Sequence, residues 1–433
     1  LGDLDGIKDL TRRAHAIRSR ILRWVGIGSG VGIAPSKTLA KLCNLVAKNS
    51  SRKPGSSGRS ALNQRVRVVP IDAESAQVQV KPMEEGQIVA DLASDEAFEG
   101  YLNRPEATAK ALREGFMAAH YQALQAGQKP PSVQFYDSSR LTSLDDFYRQ
   151  AQADGVQLVV GPLEKSLVKQ LSTRQQLPIT TLALNYSEGT QGPAQLFQFG
   201  LAAEDEAREV ARRARADGLT RAGAMVPVGE WGDRVLKAFR QEWEVHGGTL
   251  VGVEHIDKPV ALAQQVADLV QLRKNGGSAE PTRRQDMQFL FLAATPQQAQ
   301  QIKPTLNYQY AGDLPVYATS HVFSASGDQN QYNDMNGIRF CETPWLLNTT
   351  DPLRNQVAAQ WPQANGSLGR LYAMGVDAYR LAPRLGQLKA LPDTRVDGLS
   401  GNLGISANQR VDRQMPWAKF VGGDIQRLPD TPR

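Results

Sequence analysis

Apolar and polar positions fall into alternating blocks along the middle of the chain, and residues 133–185 read strand, helix, strand, helix, strand. Residues 133–136 are a short apolar run closed by Asp137, Ser138 and Ser139. Residues 141–153 place Leu144, Phe147, Tyr148 and Ala151 on one helical face, and Asp154-Gly155 stops that helix. A second strand, 156–160, runs into Gly161-Pro162. A second helix, 164–175, carries Leu167, Val168 and Leu171 on one side, and a third strand, 179–184, follows Pro178. Strands alternating with helices of about a dozen residues predict βαβ units and a parallel sheet with right-handed crossovers.

The same pattern extends in both directions. Upstream, 106–126 is a helix with Ala111, Leu112, Phe116, Ala119 and Leu124 at helical spacing. Downstream come a strand at 196–201 and a helix from Glu204 to Asp217, with acids in its first turn and arginines further on, as the helix dipole favours. A second series begins at Ala222. It has strands at 224–227, 249–254, 288–293 and 314–318 and helices at 233–246, 260–272 and 297–306. The chain then crosses back through a strand at 337–341 and a helix at 368–385, and ends in short strands and turns over 397–420. The pattern predicts an α/β protein of two doubly wound lobes, with a short helical appendage at the N-terminus. Lobe one is expected at 106–221 plus 340–433 and lobe two at 222–339.

Length and charge sharpen this division. A chain of 433 residues exceeds one ordinary core. Residues 1–67 carry 14 Lys and Arg against 3 Asp and Glu, so with a whole-chain charge of +6 the remainder nets −5. The basic balance therefore belongs to the first segment, which is where a nucleic acid or anionic surface would be met. Residues 50–65, rich in Ser, Gly, Arg and Lys, read as a linker, and 51–105 as a whole carries no assigned function. The chain starts without Met, which reads as a piece of a longer protein, and it shows neither a signal peptide nor a lipidation site. Cys43 and Cys341 are too far apart to suggest a ligand cluster or a disulfide framework.

Catalytic patterns do not emerge. There is no G-x-S-x-G, H-E-x-x-H or phosphate-loop motif, and the five histidines are scattered. The expectation is a protein with no enzymatic activity, catalytic residue, metal or cofactor. In open α/β sheets, ligands bind beyond the carboxyl ends of the strands. That rule selects four loops as a candidate cleft: Gly161, Pro162 and Leu163; Asn185 and Tyr186; Gly229, Glu230 and Trp231; and Ser320 with His321.

Two resemblances add to this reading. Asp9-Leu10-Thr11, residues 21–27 and the run 31–42, which includes Ser36-Lys37-Thr38, are similar to part of the palm of UmuC-type Y-family DNA polymerases. The resemblance covers about residues 1–50. It implies that Lys37 is a vestigial contact to a nucleotide triphosphate. The carboxylates needed for two-metal phosphoryl transfer lie upstream of such a piece in that family, so no polymerase activity is expected.

The second resemblance spans about 106–425. Val159-Val160-Gly161-Pro162-Leu163, Leu182-Ala183-Leu184-Asn185, the run 204–208, Gly232-Asp233-Arg234-Val235 and the run 372–378 resemble, in that order, the C-terminal domain of the LpoA family of penicillin-binding protein activators. That resemblance implies a periplasmic-binding-protein type I fold. It also implies a periplasmic, outer-membrane-associated regulator whose partner is a class A penicillin-binding protein and whose effect is stimulated peptidoglycan synthesis. Two other functions compete, a small-molecule receptor using the interlobe cleft and a DNA-repair polymerase remnant. The fold also poses a problem. Its first strand, a central one, should directly precede the helix at 106–126, yet 99–105 is mostly polar. The expected substitutes are 66–71, favoured for its valines, and 87–90.

Overall fold

The structure is a computed structural model that describes residues 65–70, 86–91, 105–138, 141, 143–189, 192–273, 281–325 and 329–431. The UmuC-like stretch with Lys37, and the linker after it up to residue 64, lie outside the described residues. The chain divides into two compact units, Leu1–Asn103 and Arg104–Arg433. In the first, β1 (Arg65–Pro70) and β2 (Gly86–Asp91) form a two-stranded antiparallel sheet of their own, with Val66 opposite Ala90 and Val68 opposite Ile88. Neither strand joins a larger sheet, so neither 66–71 nor 87–90 is seen in the place expected for the first strand of lobe one. Their ladder groups are used on each other.

The second unit holds the predicted α/β architecture. Helix α1 (Pro105–Gln125) is followed by α2 (Leu144–Ala153), whose N-cap Ser143 accepts from the Asp146 N–H. Then come β3 (Leu158–Val160), α3 (Lys165–Ser172), β4 (Thr180–Ala183) and β5 (Leu196–Gln198). The three strands are parallel in the order β3-β4-β5. Residues 133–136, expected as a strand, are not one. No ladder partner lies beside them among the described residues. Instead Gln134 and Tyr136 donate side-chain hydrogen bonds to Asp154, and the Tyr136 ring meets Phe147 edge-on at 5.2 Å.

Helix α4 (Ala203–Ala216) leads into the second lobe, which comprises β6 (Arg221–Pro227), α5 (Glu230–Val245), β7 (Thr249–Ile256), α6 (Leu262–Leu269), β8 (Phe289–Leu292), α7 (Pro296–Tyr308), β9 (Val316–Ala318), α8 (Gln329–Asn333) and β10 (Arg339–Cys341). Its core stacks Phe239 on Phe291 at 4.1 Å and sets Trp243 edge-on to Phe289 at 5.2 Å, beneath strands with no exposed side chain from Ala222 to Pro227. Sequence periodicity found nearly all of these elements because each buries one helical face or a continuous strand. The helix expected at 260–272 is shorter: a 3₁₀ turn at Pro259–Ala261 precedes α6.

The return path departs from expectation. Three helices, α9 (Pro344–Leu347), α10 (Pro352–Gln360) and α11 (Gly369–Leu381), carry the chain back to lobe one, and a 3₁₀ turn containing Pro383 separates α11 from α12 (Leu385–Ala390). Proline cannot donate to a helix ladder, which is why the helix predicted over 368–385 ends early. Strands β11 (Val396–Asp397), β12 (Asn402–Ile405) and β13 (Val411–Gln414) form an antiparallel sheet. Then β14 (Trp417–Val421) and β15 (Asp424–Arg427) cross again, and β14 pairs with β10, giving a seven-stranded sheet in the order β15-β14-β10-β9-β8-β6-β7. Assigning 340–433 wholly to lobe one therefore misses two strands that the second sheet recruits. Their side chains give the reason: Trp417, Ala418 and Phe420 are fully buried there, with Phe420 stacked on Phe340 at 4.7 Å.

Helices α1 and α11 approach unusually closely. A Cβ on Gly115 would lie 2.2 Å from the Tyr372 carbonyl oxygen, and one on Gly375 would lie 2.2 Å from that of Leu112. Two glycines thus let the backbones of lobe one's first helix and its late-returning helix touch, while the Tyr372 hydroxyl donates to Glu114 at 2.6 Å.

Candidate functional site

The four loops nominated from sequence fall into two groups at the carboxyl ends of the two sheets. In lobe one, the Asn185 amide donates to the Leu163 carbonyl at 3.0 Å, and its side-chain oxygen accepts from the Tyr186 N–H at 2.9 Å. The Tyr186 hydroxyl donates to the Val411 carbonyl at 3.1 Å, and the Arg410 guanidinium lies 5.1 Å over its ring. Burial, with Asp205 nearby, pushes the Tyr186 hydroxyl well above its ordinary pKa. Gly161-Pro162 is a cis peptide at the end of β3. In lobe two, Gly229 begins α5 at φ 107° and Glu230 is exposed. The Trp231 ring meets His321 edge-on at 5.0 Å.

Behind these loops lies a buried polar cluster that sequence reading did not find. Glu206 on α4 accepts from both the N–H and the hydroxyl of Ser320, at 2.8 and 2.9 Å. Arg370 on α11 forms a two-pronged pair with Glu342, 3.0 Å from Nε and 2.5 Å from Nη2. Its Nη2 also reaches the carbonyl oxygens of Ser320 and Phe323, each at 3.1 Å. Glu342 directly follows β10, and its carboxylate also accepts from the Thr343 N–H at 2.7 Å. A guanidinium from a lobe-one helix is thus locked onto loops of the lobe-two sheet. Burial, then Arg370, lowers the pKa of His321 to about 4, so its ring is neutral at pH 7.

Nothing in the local sequence marks Glu342 and Arg370 as partners, 28 residues apart. The only hint was that each is a charge inside an otherwise apolar stretch. A second buried guanidinium, Arg413, donates to the Ser400 carbonyl at 3.1 Å. Asp377, also buried, accepts from the N–H groups of Leu399 and Ser400, at 2.9 and 2.7 Å.

The nominated polar groups are therefore mostly committed to internal bonds. The side chains of Asn185 and Ser320 and the hydroxyl of Tyr186 hold the loops together, and His321 contacts Thr319 and Trp231. Neither of two surface depressions is lined by the nominated residues. One, of about 430 Å³, lies between α7 and the segment 333–337. The other, of about 220 Å³, is lined by Lys165, Ser166, Lys169, Ser187 and Glu188. Among the described residues no group of three or more His, Cys, Asp and Glu side chains could hold a metal ion, and no helix is long and apolar enough to cross a membrane.

Two doubly wound lobes, joined by crossings after β5, β10 and β13, define an α/β protein of the periplasmic-binding kind. A structure assigned to a branched-chain amino acid ABC transporter of Chromobacterium violaceum shares this fold, with a TM-score of 0.55 and 29% identity over 72% of this chain and 94% of that one. The chain belongs to the family described as "LppC putative lipoprotein", whose pattern matches residues 103–423. It is 31% identical over 328 residues to the penicillin-binding protein activator LpoA of Edwardsiella ictaluri, covering 70% of this chain and 48% of that relative. The C-domain of LpoA from Haemophilus influenzae, a regulator of PBP1A, superposes with a TM-score of 0.63 and 27% identity, over 75% of this chain and 96% of the domain. The chain spans about half the length of the curated relatives it matches.

Proposed function

We propose that residues 104–431 form a regulatory domain that binds a class A penicillin-binding protein and stimulates peptidoglycan synthesis and cross-linking, with no chemistry of its own. The observation that carries this reading is the likeness to nearly the whole Haemophilus influenzae LpoA C-domain. The junction supports it. A receptor that closes on a small molecule needs lobes free to swing. Here a buried Arg370–Glu342 pair bridges them, and pulling such a pair apart leaves an uncompensated buried charge. A fixed pair of lobes suits a protein that presents a surface. By the same kinship the working site is the periplasmic side of the outer membrane.

The test is binding of the full chain to a purified class A penicillin-binding protein, read by biolayer interferometry, with cross-linking of lipid-linked precursor as the activity readout. Expected is saturable binding and faster cross-linking. A chain that binds no such enzyme, yet shows a thermal shift with branched-chain amino acids, would instead support the receptor reading, which the Chromobacterium likeness favours. Polymerase activity is not expected, and primer extension with magnesium and nucleotides tests that.

A further inference from the structure

The larger surface depression, about 430 Å³, lies away from the nominated loops. Its size falls within the roughly 300–1,000 Å³ of small-ligand pockets. One wall is the end of α7, which places Lys303 and Asn307 one turn apart on one face, with Pro304 beside them. The other wall is the turn after α8, with Asn333, Asp334 and Asn336.

Internal bonds brace both walls. The Lys303 ammonium donates to the Gly312 carbonyl at 2.7 Å and ties α7 to the loop that leaves it. Gly312 lies so close to that helix that a Cβ there would be 2.3 Å from Oδ1 of Asn307. Opposite, the Gly337 N–H donates to the Phe420 carbonyl at 2.8 Å, and the Asn336 side chain accepts from the Gly422 N–H at 3.0 Å.

The chemistry left open between these walls is narrow. The side chains of Asn307, Asn333 and Asp334 are exposed and have no hydrogen-bond or ion-pair partner among the described residues. Each amide both donates and accepts, and the carboxylate accepts. Other ligand classes fit poorly. Lys303 is already used on a carbonyl and partly withdrawn from water, so that burial lowers its pKa. An anion would therefore meet the Asp334 charge with little to offset it. A single carboxylate makes no metal site. Pro304 is the one apolar side chain among the described residues of the lining, so an apolar ligand gains little. What fits is a neutral molecule dense in hydroxyl and amide groups.

Two tyrosines point the same way. Tyr308 is one turn past Pro304 on α7, Tyr310 is two residues before Gly312, and they stand 76% and 55% exposed. An aromatic ring held in water beside a polar pocket can cover the apolar face of a sugar ring, while its hydroxyl still finds a hydrogen-bond partner.

We infer that the pocket between α7 and the 333–337 turn is a saccharide-binding site, and that it takes an N-acetylated sugar of a glycan chain. The saccharide class follows from the lining. The N-acetyl group, and peptidoglycan as the source of the glycan, rest on the regulatory reading above. The Asn307 and Asn333 amides bond to sugar hydroxyl and acetamido groups, Asp334 accepts from hydroxyls, and Tyr308 and Tyr310 supply the stacking surface.

The experiment titrates the full chain with chitotetraose, and separately with cellotetraose, which carries hydroxyls in place of the acetamido groups. Isothermal calorimetry is the readout. Expected is saturable binding of chitotetraose, with cellotetraose at least about tenfold weaker. The double variant Asn307→Ala with Asn333→Ala, and Tyr308→Ala, should each weaken chitotetraose binding by about tenfold or more. These changes remove exposed side chains, so Tm should stay within about 2 °C of the parent, and lost binding then reports the site rather than the fold. No saturable binding of either sugar, or undiminished binding by both variants, would overturn the inference. Equal binding of the two sugars would overturn the N-acetylated source. Sugar binding is read without the synthase. A chain that stimulates the synthase but ignores chitotetraose therefore sinks this inference alone, and one that binds chitotetraose but no synthase sinks the regulatory reading.

Discussion

Single residues decide how the two lobes are joined. Arg370 and Glu342 are 9% and 0% exposed as side chains, so their pairing is shielded from solvent. Removing one partner strands the other. Arg370→Met is therefore expected to cost about 3–5 kcal/mol, and the double change Arg370→Met with Glu342→Leu to recover most of it; urea midpoints of the two variants check this. His321 gives a pH signature. Its folded pKa of about 4 lies below the value of about 6.5 in an unfolded chain. As pH falls from about 6.5 toward 4 the unfolded state takes up a proton that the folded state refuses. Stability is then lost at up to about 1.4 kcal/mol per pH unit, and is unaffected by this group above that window. His321→Gln should lose less stability between pH 7 and pH 5 than the parent chain, measured by the same denaturant titration at each pH. Neither role was visible in sequence. His321 was nominated as a cleft residue, and Glu342 and Arg370 were not nominated at all, because an ion pair between distant residues leaves no local pattern.

At the scale of elements, periodicity located the helices and strands, and misjudged those that depend on a neighbour. Helix α5 carries Val235, Phe239 and Trp243 at helical spacing, and that stripe is what it buries. Residues 133–136 have the composition of a strand but have no paired neighbour among the described residues, and a strand exists only through its partners. Strands β14 and β15 read as part of the tail, yet they extend the lobe-two sheet. The α1–α11 contact depends on two glycines whose spacing carries no helical signal. Gly375→Ala would place a methyl against the Leu112 carbonyl and force the helices apart, an overpacking expected to cost about 1–3 kcal/mol. A lower urea midpoint with an unchanged m-value would show lost packing without a change of fold.

At the scale of the molecule, the boundary at Asn103–Arg104 separates two compact units, and the family match begins at the same place. A chain starting at Arg104 is expected to unfold cooperatively within a few degrees of the full chain, by differential scanning calorimetry. Loss of the cooperative transition would mean that lobe one depends on residues upstream. The proposed regulatory role belongs to this scale too, since it concerns surface presented by lobes in a fixed relation.

Sequence alone determined the α/β class, the order of nearly every element from α1 to β10, and the family. Burial of one face per helix and of whole parallel strands imposes periods that can be read along the chain. Tertiary structure alone decided which strands became neighbours, which late segments crossed back, and which charges met. Those are contacts between residues far apart in sequence, selected by the geometry of the packed sheets.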